Sequence, residues 1–209
     1  MATSSTTTRE RIVAAAAKLF YAEGIRSIGV DAVAEKAGVT KRTLYYHFAS
    51  KDDLIAAYLQ ERDQPNLIAY RRWFAEAEGG IADKVAGIFR NLAASARHPK
   101  WKGCGFLRTS AELANTPGHP AMKTGAAHKK RVEDWLEGEF RSEGIVAARE
   151  LARQIALLLD GSFAVVLLHR DPSYMETAAE AAATLVAAAQ RPASASAGLT
   201  ANGSVRSAG

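Results

Sequence analysis

Cys104 is the only cysteine in 209 residues, which excludes an intramolecular disulfide. No apolar stretch reaches the roughly 20 residues of a membrane span. The longest, IALLLDGSFAVVLL from Ile155, carries Asp160 and Gly161 inside it. The opening MATSSTTTRE has no apolar centre, so no secretory signal is expected, and the expected location is cytoplasmic with no membrane partner. Enzyme signatures are missing as well: there is no G-x-S-x-G, no Walker phosphate loop and no H-E-x-x-H. The expectation is a protein that is not an enzyme and uses no cofactor. Neither an internal repeat nor a convincing strand pattern is found. Acid is slightly outnumbered, with 22 Asp and Glu against 27 Lys and Arg, a net charge of +5. That balance favours a polyanionic partner, although much of the excess lies outside the N-terminal region and the tail adds Arg206.

Against these absences one segment stands out, residues 28–54, IGVDAVAEKAGVTKRTLYYHFASKDDL. Val30, Val33, Ala34 and Ala37 recur at helical spacing and predict a short amphipathic helix. Gly38 follows where that helix must stop, since glycine adopts the left-handed conformation at little cost. Thr40 then caps a second helix. In it Leu44 and Phe48 lie four apart and share an inward face, so Arg42 and Tyr46 point away from the core. Thr43 and His47 flank them on one side, Lys41 and Tyr45 on the other. Nothing acidic occurs from Val39 to Lys51. A solvated charged face would not need two outward tyrosines. Guanidinium, ammonium, hydroxyl and imidazole groups on one face suit phosphates and base edges together, and a helix-turn-helix is a device for placing such a helix in the major groove.

The run from Thr43 to Lys51, Thr-Leu-Tyr-x-His-Phe-x-x-Lys, preceded by RERIVAAAAKLFYAEGIRSI, resembles the TetR type of bacterial transcriptional regulator. The resemblance covers about the first quarter of the chain. It implies an all-α fold: an N-terminal three-helix helix-turn-helix DNA-binding domain, then a C-terminal helical domain for ligand binding and dimerisation. It implies base contacts from Lys41, Arg42, Tyr45 and Tyr46, with Thr43, His47 and Lys51 on the phosphate backbone and Thr40 at the helix start. One departure is plain: Ile28-Gly29 stands where the family usually has a Thr-Thr or Thr-Ser pair, so no hydroxyl opens the first of the two helices. Asp31 in that turn suits the helix dipole but would repel a phosphate.

Capping and periodicity divide the chain into a disordered start over 1–6, a DNA-binding domain over 7–54, a helical body over 55–191 and a disordered Ala, Ser and Gly tail over 192–209. Thr7 with Glu10 reads as a capping box, and Ser50 with Asp53 opens a long helix that Pro65 is expected to kink or break. Further helices are expected at 81–97, 103–114, 120–142, 146–169 and 173–191. The body's two expected properties follow from the resemblance. Leu151, Ile155, Leu158, Leu159, Val165, Val166 and Leu185, set among alanines in the last two helices, are the candidate homodimer seam, a four-helix bundle. Phe89, Trp101, Cys104, Phe106, Leu107, Met122, Trp135 and Phe163 are candidates to line a pocket for a small-molecule effector. His98, Cys104, Glu112, His119 and His128 follow one another at intervals of six, eight, seven and nine, so no two are one helical turn apart and no metal site is expected. The functional expectation is a repressor that binds a pseudo-palindromic double-stranded operator and is released by a ligand. The alternative is a constitutive architectural DNA-binding protein with no inducer.

Overall fold

In the computed structural model residues 6–191 are described, and within them every regular element is an α-helix. The order is α1 (Thr8–Glu23), α2 (Val30–Ala37), α3 (Lys41–His47), α4 (Lys51–Glu76), α5 (Ile81–Ala96), α6 (Gly105–Glu112), α7 (Pro120–Ser142), α8 (Ala148–His169) and α9 (Ser173–Ala189). The segments expected to be disordered, 1–6 and 192–209, lie outside the described residues except for Thr6.

Local chemistry starts these helices where expected. The Thr7 hydroxyl accepts the Glu10 N–H at 3.2 Å and the Glu10 carboxylate accepts the Thr7 N–H at 2.7 Å, a complete capping box. At α4 the Ser50 hydroxyl accepts the Asp53 N–H at 3.1 Å. Pro120 occupies the first turn of α7, where its missing N–H costs nothing. Pro65, expected to kink or break its helix, does not break it. Helix α4 runs uninterrupted through it for 26 residues, about 39 Å at 1.5 Å per residue. Pro65 lies on the solvent side, as does Glu61, whose carbonyl loses its helical partner to the proline and can turn to water.

Helix α4 joins two assemblies. Its first turns, through Leu54 and Tyr58, close the α1–α3 head over Ile12, Ala16, Phe20, Val33 and Leu44, and its later turns enter the body. In the body α5 packs most extensively on α9, whose Ala178, Ala179 and Ala182 let the two backbones approach closely, while α7 packs on α4 and α8. Buried apolar side chains form one continuous cluster from Ile12 to Val186. Each fully buried Leu, Ile or Phe there contributes about 1.5–3 kcal/mol.

Helix α8 outgrows the 14-residue apolar run that marks it in the sequence. At 22 residues, with a mean hydropathy of 1.7 over its most apolar 18-residue window, it is the one described helix long and apolar enough to cross a membrane. Its Leu151, Ile155, Leu159 and Val166 are packed into the protein's own core against α7 and α9.

Candidate nucleic-acid interface

The short helices α2 and α3 hold their angle through contacts made at their ends. Gly38 sits in the left-handed region (φ 65°, ψ 41°), and its N–H returns to the Ala34 and Glu35 carbonyls. The Arg11 guanidinium, reaching from α1, donates to the Ala37 carbonyl at 2.6 Å and the Gly38 carbonyl at 3.3 Å. A cation on the C-terminus of α2 satisfies carbonyls that no helical N–H can reach and complements the dipole. Across the turn the Thr40 hydroxyl accepts the Thr43 N–H at 3.1 Å and caps α3. Leu44 is fully buried and Phe48 nearly so, under the Arg9 guanidinium at 5.1 Å from its ring.

With that face fixed inward, the opposite face of α3 is left bare. Tyr46 is 86% exposed and Tyr45 45%. The Tyr46 ring meets His47 edge-on at 5.2 Å and is otherwise uncovered. Lys41 and Arg42 are exposed, while Thr43, His47 and Lys51 are half-buried around the rim. Lys41 is not free: its ammonium binds the Asp31 carboxylate at 3.0 Å across the turn. That hydrogen bond and charge hold the Lys41 pKa above its ordinary value. Asp31 is thus the partner of a candidate contact residue. Gly29 starts α2 without a side-chain cap, as its sequence requires.

The head is bolted to the body by groups that no short-range pattern marks. The Ile25 and Arg26 amides donate to the two oxygens of Glu112, at the end of α6, at 3.2 and 2.9 Å. Arg108, also on α6, donates to the Tyr21 carbonyl at 2.7 Å. The Tyr21 hydroxyl accepts the Lys102 N–H at 2.9 Å and lies 3.3 Å from the Gly103 carbonyl. Partners here are 81–87 residues apart in sequence.

Deeper in the body, α4 meets α7 through ionisable pairs. Asp63 accepts from Arg131 at 2.7 and 3.2 Å and lies 2.7 Å from His128 Nδ1. The His128 ring is stacked on Phe106 at 3.9 Å. Burial lowers the His128 pKa despite the hydrogen bond to Asp63. For Asp63 burial pushes upward, but the hydrogen bonds from His128 and Arg131 together outweigh it and the net shift is downward. A neutral His128 donating to an ionised Asp63 fits both directions. Nearer the head, buried His119 accepts the Ala121 N–H on Nδ1 at 3.0 Å and places Nε2 3.2 Å from Asp52.

The candidate pocket residues are dispersed. Trp101, Cys104 and Phe163 line a cavity of about 230 Å³ together with Tyr21, Arg62 and Tyr70. Phe89 and Phe106 are fully buried core, and Leu107 and Met122 pack half-buried against it. Trp135 faces a separate open cleft beside Arg71, Phe74 and Lys84. The candidate seam residues divide likewise. Leu151, Ile155, Leu159 and Val166 belong to the core of the protomer rather than to its outer face, while Leu158, Val165 and Leu185 are half-buried. Helix α8 carries apolar residues on its outer as well as its inner side, and the inward side takes those four. On its outer side Leu157 and Leu168 are 73% and 77% exposed.

Two helices set by a glycine turn, one of them presenting a basic aromatic face, define a helix-turn-helix protein. Comparison with known proteins narrows this. Residues 12–58 match the sequence profile of the bacterial regulatory proteins of the tetR family. SrpR, an HTH-type transcriptional regulator of Pseudomonas putida, is 41% identical over 58 residues, 28% of this chain and 27% of SrpR. FasR, an HTH-type transcriptional activator of Mycolicibacterium smegmatis, is 41% identical over 61 residues, 29% of this chain and 27% of FasR. The match thus spans about a quarter of the length of either relative. The whole fold is matched by the crystal structure of SCO4454, a TetR-family transcriptional regulator from Streptomyces coelicolor, at 30% identity and a TM-score of 0.77, covering 88% of this chain and 96% of that one. The chain belongs to the TetR family of DNA-binding transcriptional regulators.

Proposed function

We propose that this protein is a ligand-released repressor that binds a pseudo-palindromic operator as a homodimer, with 7–54 as its DNA-binding domain and 55–191 as its effector and dimerisation domain. The uncovered outer face of α3 carries this reading: Arg42 and Tyr46 project together, and Tyr46 is 86% exposed with nothing of the protein over it. A large aromatic side chain left in water at the centre of a basic face is explained by a surface that covers it. Arg42, Tyr45 and Tyr46 read base edges. Lys41 joins them by exchanging Asp31, in an exposed pair of the kind that holds weakly. Thr40, Thr43, His47 and Lys51 hold the backbone. Repression by occlusion needs no surface beyond the two heads.

The dimer seam runs along the outer stripe of α8 and α9. Leu157, Gly161, Ala164 and Leu168 recur at intervals of four, three and four on exposed positions of α8, and Tyr174, Thr177, Ala181, Thr184 and Ala188 do the same on α9. Stripes of this period with small residues suit close packing against their copies in a four-helix bundle. A two-fold dimer sets its heads on half-sites about 34–36 Å apart, or a multiple of that turn.

Selection of DNA fragments by the purified protein, followed by footprinting, tests the operator. A symmetric protected site supports the proposal, and enrichment of bent or A/T-rich DNA without symmetry would mean an architectural protein. A thermal-shift screen against metabolites tests the effector domain, because a ligand that binds the folded state raises the melting temperature in proportion to RT ln(1 + [L]/Kd).

A further inference from the structure

From the chemistry of the inner cavity we infer that the effector is a small aromatic acid, a one- or two-ring carboxylate whose anionic end is held by Arg62. The inference rests on the reading of the body as an effector domain and assigns its ligand class. The cavity lies between α4, α5, the 97–104 segment and α8, and its volume of about 230 Å³ falls below the ~300–1,000 Å³ of sites for drug-sized ligands. Its walls are flat and aromatic. Trp101 and Phe163 are stacked at 6.3 Å with 12° between their planes, and Tyr70 and Trp73 adjoin at 5.9 Å. Such walls favour a planar ring over a branched chain.

The charge is one-sided. Among the described residues no carboxylate lines the cavity, and Arg62 is its only cation. Neighbouring acids are engaged elsewhere: Asp63 with His128 and Arg131, Asp160 with Lys129. The Arg62 Nε is buried and has no hydrogen-bond partner among the described residues. The guanidinium rests on the Tyr21 ring at 4.8 Å and the Tyr58 ring at 6.0 Å. A buried donor without an acceptor costs about 1–3 kcal/mol, and a carboxylate matches the planar fork of a guanidinium. Gly105, the first residue of α6, leaves room for this packing, since a Cβ there would stand 2.7 Å from the Tyr58 hydroxyl and 3.3 Å from the Arg62 Nε. The Tyr70 hydroxyl is buried among these groups, with its pKa raised by desolvation, and stays a neutral donor.

Calorimetry on the intact protein with four probes, benzoate, 2-naphthoate, benzamide and 2-naphthamide, tests the assignment. At least one acid should bind about tenfold or more tightly than its amide, the scale of one charge-assisted bond. Arg62→Met should erase that preference while leaving amide binding unchanged. Ala69→Phe, which fills the cavity from α4, should abolish binding of every probe. The acid–amide comparison on the unmodified protein stands without any variant. Equal binding of acid and amide, or acid binding indifferent to Ala69→Phe, overturns the assignment. So does silence from all four probes at millimolar concentration. In each case the effector-domain reading survives if the metabolite screen finds a stabiliser whose effect Ala69→Phe removes, and falls with the assignment if it finds none.

Discussion

The head and the body solve opposite problems. The head must be rigid in isolation and bare on one side. Its helices are short, eight and seven residues for α2 and α3, too short to be stable alone. It compensates with end contacts: the Thr40 cap, the left-handed Gly38 and the Arg11 guanidinium on the last carbonyls of α2. Apart from the eight-residue α6 the body has long helices, 16 to 26 residues for α4, α5, α7, α8 and α9, and it places polar groups inside: Asp63, His128, His119 and the unpartnered Arg62 Nε. Buried polar groups are costly where unsatisfied. A domain with only a core to build would use apolar residues there. The difference matches the proposed division of labour, with recognition on an uncovered surface and response in a polar interior.

The largest effect should come from the outer stripe of the body. Leu157→Asp places a charge on the proposed seam without entering the core. It should give folded monomers by light scattering and lower operator affinity on the order of 10²–10⁴-fold, the advantage lost when two binding heads are unlinked. Leu159→Asp, about two hundred degrees round the helix and 3% exposed, should instead unfold the protein, since an unpaired charge in the core costs several kcal/mol. A dimeric Leu157→Asp would place the seam on another face.

That contrast also marks what the sequence could reveal. The α3 face was legible because Leu44 and Phe48 fix its orientation and every residue on the opposite side is polar or aromatic. In α8 the same periodicity fits two faces, one packed on α7 and α9 and one outward, and apolar residues occupy both. Leu151, Ile155, Leu159 and Val166 therefore read as seam candidates though they are core, while Leu157 passed unmarked. Pro65 reads as a kink or a break because its cost inside a helix is real, but one lost bond on the solvent side does not outweigh the packing of α4 on α1, α5 and α7, and the helix is not broken. Glu112, Tyr21 and Arg62 carried no local signal at all, since their partners or neighbouring walls come from distant parts of the chain.

On the head, Arg42→Ala and Tyr46→Ala should each cost about 1–3 kcal/mol on the operator and relax preference at defined bases. Lys51→Ala should weaken binding to all duplexes and lower the salt slope by about one. Binding isotherms on operator and random DNA at several salt concentrations separate the two roles. Equal losses on both DNAs for Arg42→Ala would remove it from base recognition.

In the body, acid should act through His128 and Asp63. Both folded pKa values lie below their unfolded ones, so the unfolded chain takes up protons first and stability falls as pH falls. The melting temperature should be level above about pH 7, decline from near the unfolded histidine value of ~6.5, and decline further through the carboxylate range. His128→Leu should remove the upper limb of that decline and also shrink the lower one, since it takes away a hydrogen bond that lowers the Asp63 pKa and leaves Arg131 alone to oppose burial. An unchanged upper limb would assign it to another histidine. At the joint between the two regions, Glu112→Ala should cost about 1 kcal/mol and speed hydrogen exchange at the Ile25 and Arg26 amides without altering those of α8.

The smallest effect has the most informative sign. Asp31 is acidic at the edge of a surface read as DNA-binding, and its carboxylate is bound to Lys41 at 3.0 Å. Asp31→Asn removes a negative charge from the path of a phosphate and releases Lys41, at no cost to any buried group, since both side chains are more than half exposed. Stability should hardly change. Affinity for duplex DNA should rise a few-fold at low salt, and the gain should fade as the Debye length shrinks from about 10 Å at 0.1 M towards 3 Å at 1 M. The rise should be as large on random DNA as on the operator, because only charge has changed. If affinity falls instead, the Asp31 carboxylate is holding Lys41 in its reading position, and the ion pair is part of the recognition surface of the head.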